Sequence, residues 1–333
     1  MQNSTFKKGY QEFISTETMG SIMGTHRIDS WLDETANACN EFEANINAFK
    51  GFETDARMLK GDVFEFYKSG TFNINAAINN SKYHTSVDRS HNYASADILS
   101  NWNEKFGLKV CYNGMASAKA QAISHYQKFI EYKSISGRTD LTFADFISER
   151  CISPNDILST DSIYKTQTRI VTVDQIDDGK SWLLNNIAKK KITDPDEVAR
   201  FQETLDNTKT CIEAPDGTKS TPVTTGKLME ITEKAKKGEY SALKDGLTPE
   251  QLIKFEQLIS QGVKAGITAA TISLILKTAP GVYRCLDELI SLGYISEKEL
   301  KEVGFGYFKK CRFGYFKRCV FDTSRSVRLG TTY

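Results

Sequence analysis

The chain has 333 residues, with 43 basic and 42 acidic side chains and a formal net charge of +1. Near-neutrality excludes a chain-wide attraction to nucleic acid or to an anionic membrane, and the length allows two domains or one body with appendages. The seven cysteines are Cys39, Cys111, Cys151, Cys211, Cys285, Cys311 and Cys319. Their odd number, wide spacing and lack of a Cys-x-x-Cys pair exclude a disulfide framework and a zinc module, and point to reduced thiols in a cytoplasmic protein.

No apolar run follows Lys7 and Lys8, so no secretory signal is read at the N-terminus. Ile28, Leu32, Thr35, Cys39, Phe42, Ile46 and Phe49 recur in steps of three and four, which predicts an amphipathic helix over 28–49. Its stripe needs a partner. Met58, Leu59, Val63, Phe66 and Tyr67 offer one over 56–67, so a helical hairpin is expected. Residues 69–113 are rich in Asn, Ser and Gly and weakly periodic, with short strands expected around 108–112.

A helix is expected over 115–132, from Met115, Ala118, Ala122, Tyr126, Phe129 and Tyr132, and a short one over 143–150. Arg169-Ile-Val-Thr-Val173 reads as a strand and leads into a helix over 175–190. Asp194-Pro195-Asp196-Glu197 is a helix start, with an acidic N-cap and Pro at the first helical position. That helix directs Val198, Phe201, Leu205 and Thr208 inward.

The segment 213–226 concentrates Pro, Gly, Ser and Thr and reads as a linker. Beyond it, Thr248-Pro249-Glu250-Gln251 and the capping box Ser296-Glu-Lys-Glu299 frame helices near 249–262, 265–279 and 282–292. The uncharged stretch from Ala265 to Leu276 is shorter than the roughly 18–20 residues a membrane span needs. Gly262, Gly266 and Ala270, with Ala265, Ala269 and Ser273, place small residues every fourth position, as in tightly packed helices in a bundle or in lipid. The expected architecture is mainly α: a helical hairpin plus helical bundles with a minor strand element. It divides into a domain over 1–212, a linker over 213–226, a helical block over 227–303 and a tail over 304–333.

The tail carries two near-identical octets, Phe305–Arg312 and Phe313–Val320. Residues 301–333 have a net charge of +6, which leaves −5 for the rest. Lys309, Lys310, Arg312, Lys317 and Arg318 interleave with Phe305, Tyr307, Phe308, Phe313, Tyr315 and Phe316, a pattern suited to nucleic acid or to an anionic membrane surface. The other reading takes 304–333 as disordered, or as the product of a duplication or frameshift, because the capped-helix pattern stops near Val303.

The densest polar cluster is 83–92. Asp88-Arg89-Ser90-His91, followed by Ala96-Asp97, resembles the Asp-Arg-Gly-His signature of the non-specific ββα-metal nucleases. The resemblance implies His91 as general base, beside Asp88, with a downstream Asn holding a divalent metal. Ser90 replaces the glycine, and Asn101, Asn103 and Asn113 lie closer than the pattern requires. The plainer reading is a polar turn that caps its neighbours. His26 and His125 have no second His or Cys at ligand spacing, and Asp177 and Asp178 read as a solvated helix face. Phosphate-loop, dinucleotide, nucleophile-elbow and His-Glu-x-x-His motifs are missing, so neither a cofactor nor a metal site is expected.

Thr25–Glu34, Leu59–Asp62, Gly70–Ile74, Tyr93–Ile98, Arg169–Val171 and Ala265–Ser273 together resemble a group of Firmicutes-type bacterial proteins with no assigned activity. The resemblance spans 25 to about 303. Members continue into a longer Gly/Ala-rich apolar region, from which this chain departs at its tail. No catalytic residue follows from it. The expected function is a non-enzymatic helical interaction protein that meets a protein partner through its amphipathic helices, with peripheral membrane association through the C-terminal block. The alternatives are a metal-dependent nuclease using Asp88 and His91, and nucleic-acid binding by the tail.

Overall fold

A computed structural model describes residues 21–90, 92–153, 156–190 and 194–242, together with positions 248 and 254. The helices expected beyond 249, the small-residue repeat at 262–273 and the five cations of the tail lie outside the described residues. The chain divides into two compact units, 1–40 with 247–333, and 41–246.

The hairpin forms from α1 (Ser21–Asn47) and α2 (Ala56–Ile78). Asp55 caps α2 by accepting from the Arg57 N–H at 2.8 Å. The predicted stripe is buried from Thr35 through Cys39, Phe42, Ile46 and Phe49. Phe42 meets Tyr67 edge-on at 6.0 Å, and Phe49 meets Phe66 at 5.8 Å. Gly70 makes this packing possible, because a Cβ there would lie 1.9 Å from the Phe42 ring. Helix α2 runs about three turns past the predicted stripe, and those turns cover the sheet.

Five short strands follow the hairpin: β1 (Thr85–Val87), β2 (Ile98–Ser100), β3 (Lys105–Leu108), β4 (Thr168–Ile170) and β5 (Thr208–Lys209). They form one mixed sheet in the order β1-β2-β3-β4-β5. The first three make an antiparallel meander, and β3, β4 and β5 are parallel. The fold is therefore mixed α/β, with eight helices among the described residues, and the sheet is more than the minor element expected from the sequence. Each strand has two to four residues, too few for alternation to be read.

Register sorts the side chains by face. Val87 opposes Ile98, Ile98 opposes Phe106 and Phe106 opposes Thr168, so these four share the face that α2 covers. Phe72 of α2 reaches Trp102 at 5.3 Å, and Trp102 reaches Phe106 at 6.0 Å. Gly107 opposes Arg169, which opposes Thr208, on the other face. There the crossovers supply α3 (Gly114–Gln121), α6 (Ile176–Lys190) and α7 (Pro195–Asp206), packed through Ala118, Ala122, Leu183 and Phe201. Helices α3 and α6 approach closely at Gly114, where a Cβ would sit 2.2 Å from the Gln175 carbonyl oxygen.

The β3–β4 crossover also carries α4 (His125–Ser136) and α5 (Phe143–Ser148). The single helix expected over 115–132 is thus two. Ser124 starts a new one through a capping box with Gln127, while its backbone bridges Ser162. Val173–Gln175 is a 3-10 turn rather than a strand end. The segment 213–226 lies inside the 41–246 unit. Its carbonyl at Thr221, with that of Thr210, accepts from the buried Lys68 Nζ at 2.8 and 2.7 Å. Helix α8 (Thr225–Lys237) closes the unit. Among the described residues no helix is long and apolar enough to cross a membrane.

Arg169 is 0% exposed and binds Glu203 of α7 through both of its terminal nitrogens, at 2.9 and 2.5 Å. Removing Glu203 strands a buried guanidinium. Glu203→Ala is expected to lower unfolding free energy by about 3 kcal/mol, whereas Lys128→Ala, in the exposed Lys128–Glu131 pair, costs less than about 0.5 kcal/mol. Urea unfolding midpoints check both.

Candidate functional site

Strands β2 and β3 part at Asp97. Its N–H donates to the Phe106 carbonyl at 2.9 Å, and its side-chain Oδ2 accepts the Leu108 N–H at 2.5 Å. A carboxylate that takes up a backbone donor beyond the end of a ladder is fixed in place. Lys109 follows β3, held by its N–H on the Ile170 carbonyl at 3.1 Å, and its Nζ stands 3.6 Å from Asp97 Oδ2. The Tyr164 ring lies 5.2 Å from the same Nζ.

Helix α2 brings Glu65 to this end of the sheet, where its side chain is 17% exposed. Burial, then the nearby Asp97 and Asp62 charges, push its carboxyl up to about 8, against the pull of Lys109 and Arg89. Burial opposes the charge on Lys109, yet Tyr164, Asp97 and Glu65 together raise its pKa. Arg89 completes the charge set, 2.9 Å from Asp62 and 3.5 Å from Glu65, with its guanidinium over the Phe66 ring. Two basic and three acidic side chains from α2, the 88–97 loop and the residue after β3 therefore meet at one end of the sheet.

Gln167 fills the space at Gly107, on the sheet face away from α2. A Cβ on Gly107 would lie 2.8 Å from Gln167 Oε1 and 2.8 Å from the Tyr164 ring. Gln167 is buried, and its Nε2 donates to the Ala94 carbonyl at 3.0 Å. On the rim, Tyr112 is 80% exposed and Lys60 Nζ donates to the neighbouring Cys111 carbonyl at 3.0 Å.

Of the residues singled out in the sequence, Asp88 lies in an exposed turn, where its carboxylate accepts the Ser90 N–H at 2.8 Å and the Ser90 hydroxyl at 2.9 Å. His91 lies outside the described residues. Arg89, between them, is the member of that motif that reaches the carboxylate cluster. Asn101 brackets the hairpin by accepting the His84 N–H and donating to the Lys82 carbonyl, and Asn113 caps α3. His125 is buried at the start of α4. Its Nδ1 is 3.0 Å from the Tyr93 hydroxyl, and burial lowers its pKa. Asp178 accepts the Met115 N–H at 2.8 Å, which ties α6 to the start of α3.

The sequence reading missed Glu65, Lys109, Tyr164 and Gln167. Asp97 and Lys109 lie one residue before β2 and one residue after β3. Among the described residues no three His, Cys, Asp or Glu side chains converge to hold a metal ion by themselves. Two carboxylates beside a fixed ammonium can share a divalent cation when water and a substrate phosphate supply the other oxygens, the usual arrangement for Mg²⁺. Comparison with known proteins finds no matching family model, no matching curated protein and no matching solved structure.

The raised Glu65 pKa couples stability to pH. Between the unfolded value near 4.5 and the folded value of about 8, the folded state binds more protons, so this contribution is complete at low pH and falls as pH rises. Unfolding free energy of the wild type relative to Glu65→Gln is expected to drop by about 2 kcal/mol from pH 5.5 to pH 7.5. Parallel urea titrations check the sign and the size.

Proposed function

We propose that this chain is a divalent-cation-dependent phosphodiesterase that acts on nucleic acid. One observation carries the reading: Asp97 stands 3.6 Å from Lys109 at one end of the sheet, and Glu65 of α2 lies near enough for the Asp97 charge to act on its carboxyl. Asp97 and Glu65 would hold a Mg²⁺ or Mn²⁺ ion, which would supply Lewis-acid polarisation of the phosphate and a more acidic bound water. Lys109, braced by Tyr164, acts as a fixed cation that stabilises the charge developing on the attacked phosphate. The exposed Tyr112 beside Lys60 offers a base-stacking and phosphate-neutralising rim, which favours a polynucleotide over a small phosphodiester.

The reaction class is the one raised by Asp88 and His91, placed on other residues. A non-enzymatic interaction protein is the competing proposal, and it predicts no turnover by any variant.

Incubation with supercoiled plasmid, single-stranded DNA and RNA in Mg²⁺ or Mn²⁺ separates the two. Cleavage is expected to require the cation and to fall at least about 100-fold in Asp97→Asn and in Lys109→Met, with circular dichroism unchanged. Asp88→Ala is expected to cleave like the wild type. Failure to cleave any of the three substrates, or equal cleavage by Asp97→Asn, would overturn the proposal.

A further inference from the structure

We infer that the lobe built on α4 and α5 is a hinged lid, closed on the body of the fold by Tyr93 and released when His125 takes up a proton. The inference stands apart from the reading of Glu65 and Asp97 as a cation site. The lobe has a core of its own, made of Phe129, Leu141, Phe146 and Ile147. Two of its ion pairs, Lys128 with Glu131 and Arg138 with Glu149, close within it. Among the described residues, Tyr93 is the one apolar side chain from outside 124–162 that packs against this core.

The chain enters and leaves the lobe side by side. Ser124 and Ser162 form an antiparallel bridge. Next to it the His125 N–H donates to the Asp161 carbonyl at 3.0 Å, and the Ile163 N–H donates to the Ile123 carbonyl at 3.1 Å. Arg200 of α7 fixes both arms of this neck. Its Nε donates to the Ala122 carbonyl and its Nη1 to the Thr160 carbonyl, each at 2.8 Å. A neck pinned at its base confines any turning of the lobe to a few residues, as hinges require.

Tyr93 is held by the lobe in two ways. Its ring meets Phe146 edge-on at 5.5 Å and lies 5.3 Å from the Arg150 guanidinium. Its hydroxyl is 3.0 Å from His125 Nδ1. The next residue, Ala94, has a φ of 60°, in the left-handed region, and its carbonyl accepts from Gln167 Nε2 at 3.0 Å. Such a conformation persists only while its surroundings enforce it. Tyr93 also lies between Arg89 and Asp97 in the chain, so opening the lid frees the middle of the loop that carries both.

A neutral imidazole accepts the Tyr93 O–H at Nδ1, whereas an imidazolium carries a proton on both nitrogens. The Tyr93 proton then lacks an acceptor among the described residues. Tyr93 keeps that proton, because burial pushes its pKa up to about 12. Burial lowers the pKa of His125; from the outgoing arm of the neck Asp161 opposes this and Lys165 adds to it. Arg150 places a further positive charge across the Tyr93 ring. The latch is therefore complete above the ordinary histidine value of 6.5 and weakens as pH falls.

Hydroxyl-radical footprinting of the full chain at pH 7.5 and pH 5.0 tests this, and it needs no bound cation. Labelling of Tyr93 and Phe146 is expected to rise about fivefold on acidification, while Phe106 in the sheet and Phe201 of α7 stay protected. His125→Gln is expected to lose the acid response, and Tyr93→Ala to expose Phe146 at both pH values. Equal labelling of wild-type Tyr93 and Phe146 at the two pH values overturns the inference, whether or not the variants fold. A rise shared equally by Phe106 and Phe201 also overturns it, since the lobe would then not move by itself. A His125→Gln protein that keeps the full response removes His125 as the trigger and overturns the inference as stated.

Discussion

The buried pair of Arg169 and Glu203 is the constraint on which the rest of the 41–246 unit depends. Arg169 stands in the middle strand of the parallel part of the sheet, and its guanidinium also reaches the Gln121 and Gln167 carbonyls. One side chain thus ties β4, the end of α3 and the last turns of α7 together. A charge in such a place is tolerated only with its partners complete. Gln167 precedes Arg169 by two residues, so the arginine that fixes β4 against the helices also fixes the approach of Gln167 to Gly107.

A second buried cation does the matching work on the opposite face. Among the described residues, Lys68 of α2 has no carboxylate partner. It grips two carbonyls, Thr210 and Thr221, and burial lowers its pKa to about 8. Glu65 lies one turn earlier on the same helix, so the bonds that clamp Lys68 to the segment after β5 also set how far Glu65 reaches toward Asp97. The two faces of the site are positioned by two charges that never touch it.

The sequence showed what is long and periodic. The stripe from Thr35 to Phe49 and the Asp194-Pro195 start are legible because a helix repeats its signal over several turns and marks its ends with side-chain caps. The sheet was not legible, because a strand such as Thr208–Lys209 has no period to display. Glu65 was hidden for a different reason. On α2 it is one polar residue among others, and only the sheet end beneath it makes it buried. Gln167 carries no signal at all until Gly107 is seen to lack the side chain whose place it takes. Residues joined through a sheet register are legible only once the register is known.

Charge balance orders the events at the site. Asp62, Glu65 and Asp97 face Arg89 and Lys109, so on the proposed reading an arriving divalent cation would displace positive charge or a proton. Arg89 is the group able to yield, being on a loop, partly exposed, and nearer to Asp62 than to Glu65. Moving wholly onto Asp62 would free Glu65 and keep the guanidinium beside the phosphate's path. Lys109 cannot leave in this way, because Tyr164 and the end of β3 hold it. On the proposed reading the site would thus separate a detachable cation, Arg89, from a fixed one, Lys109.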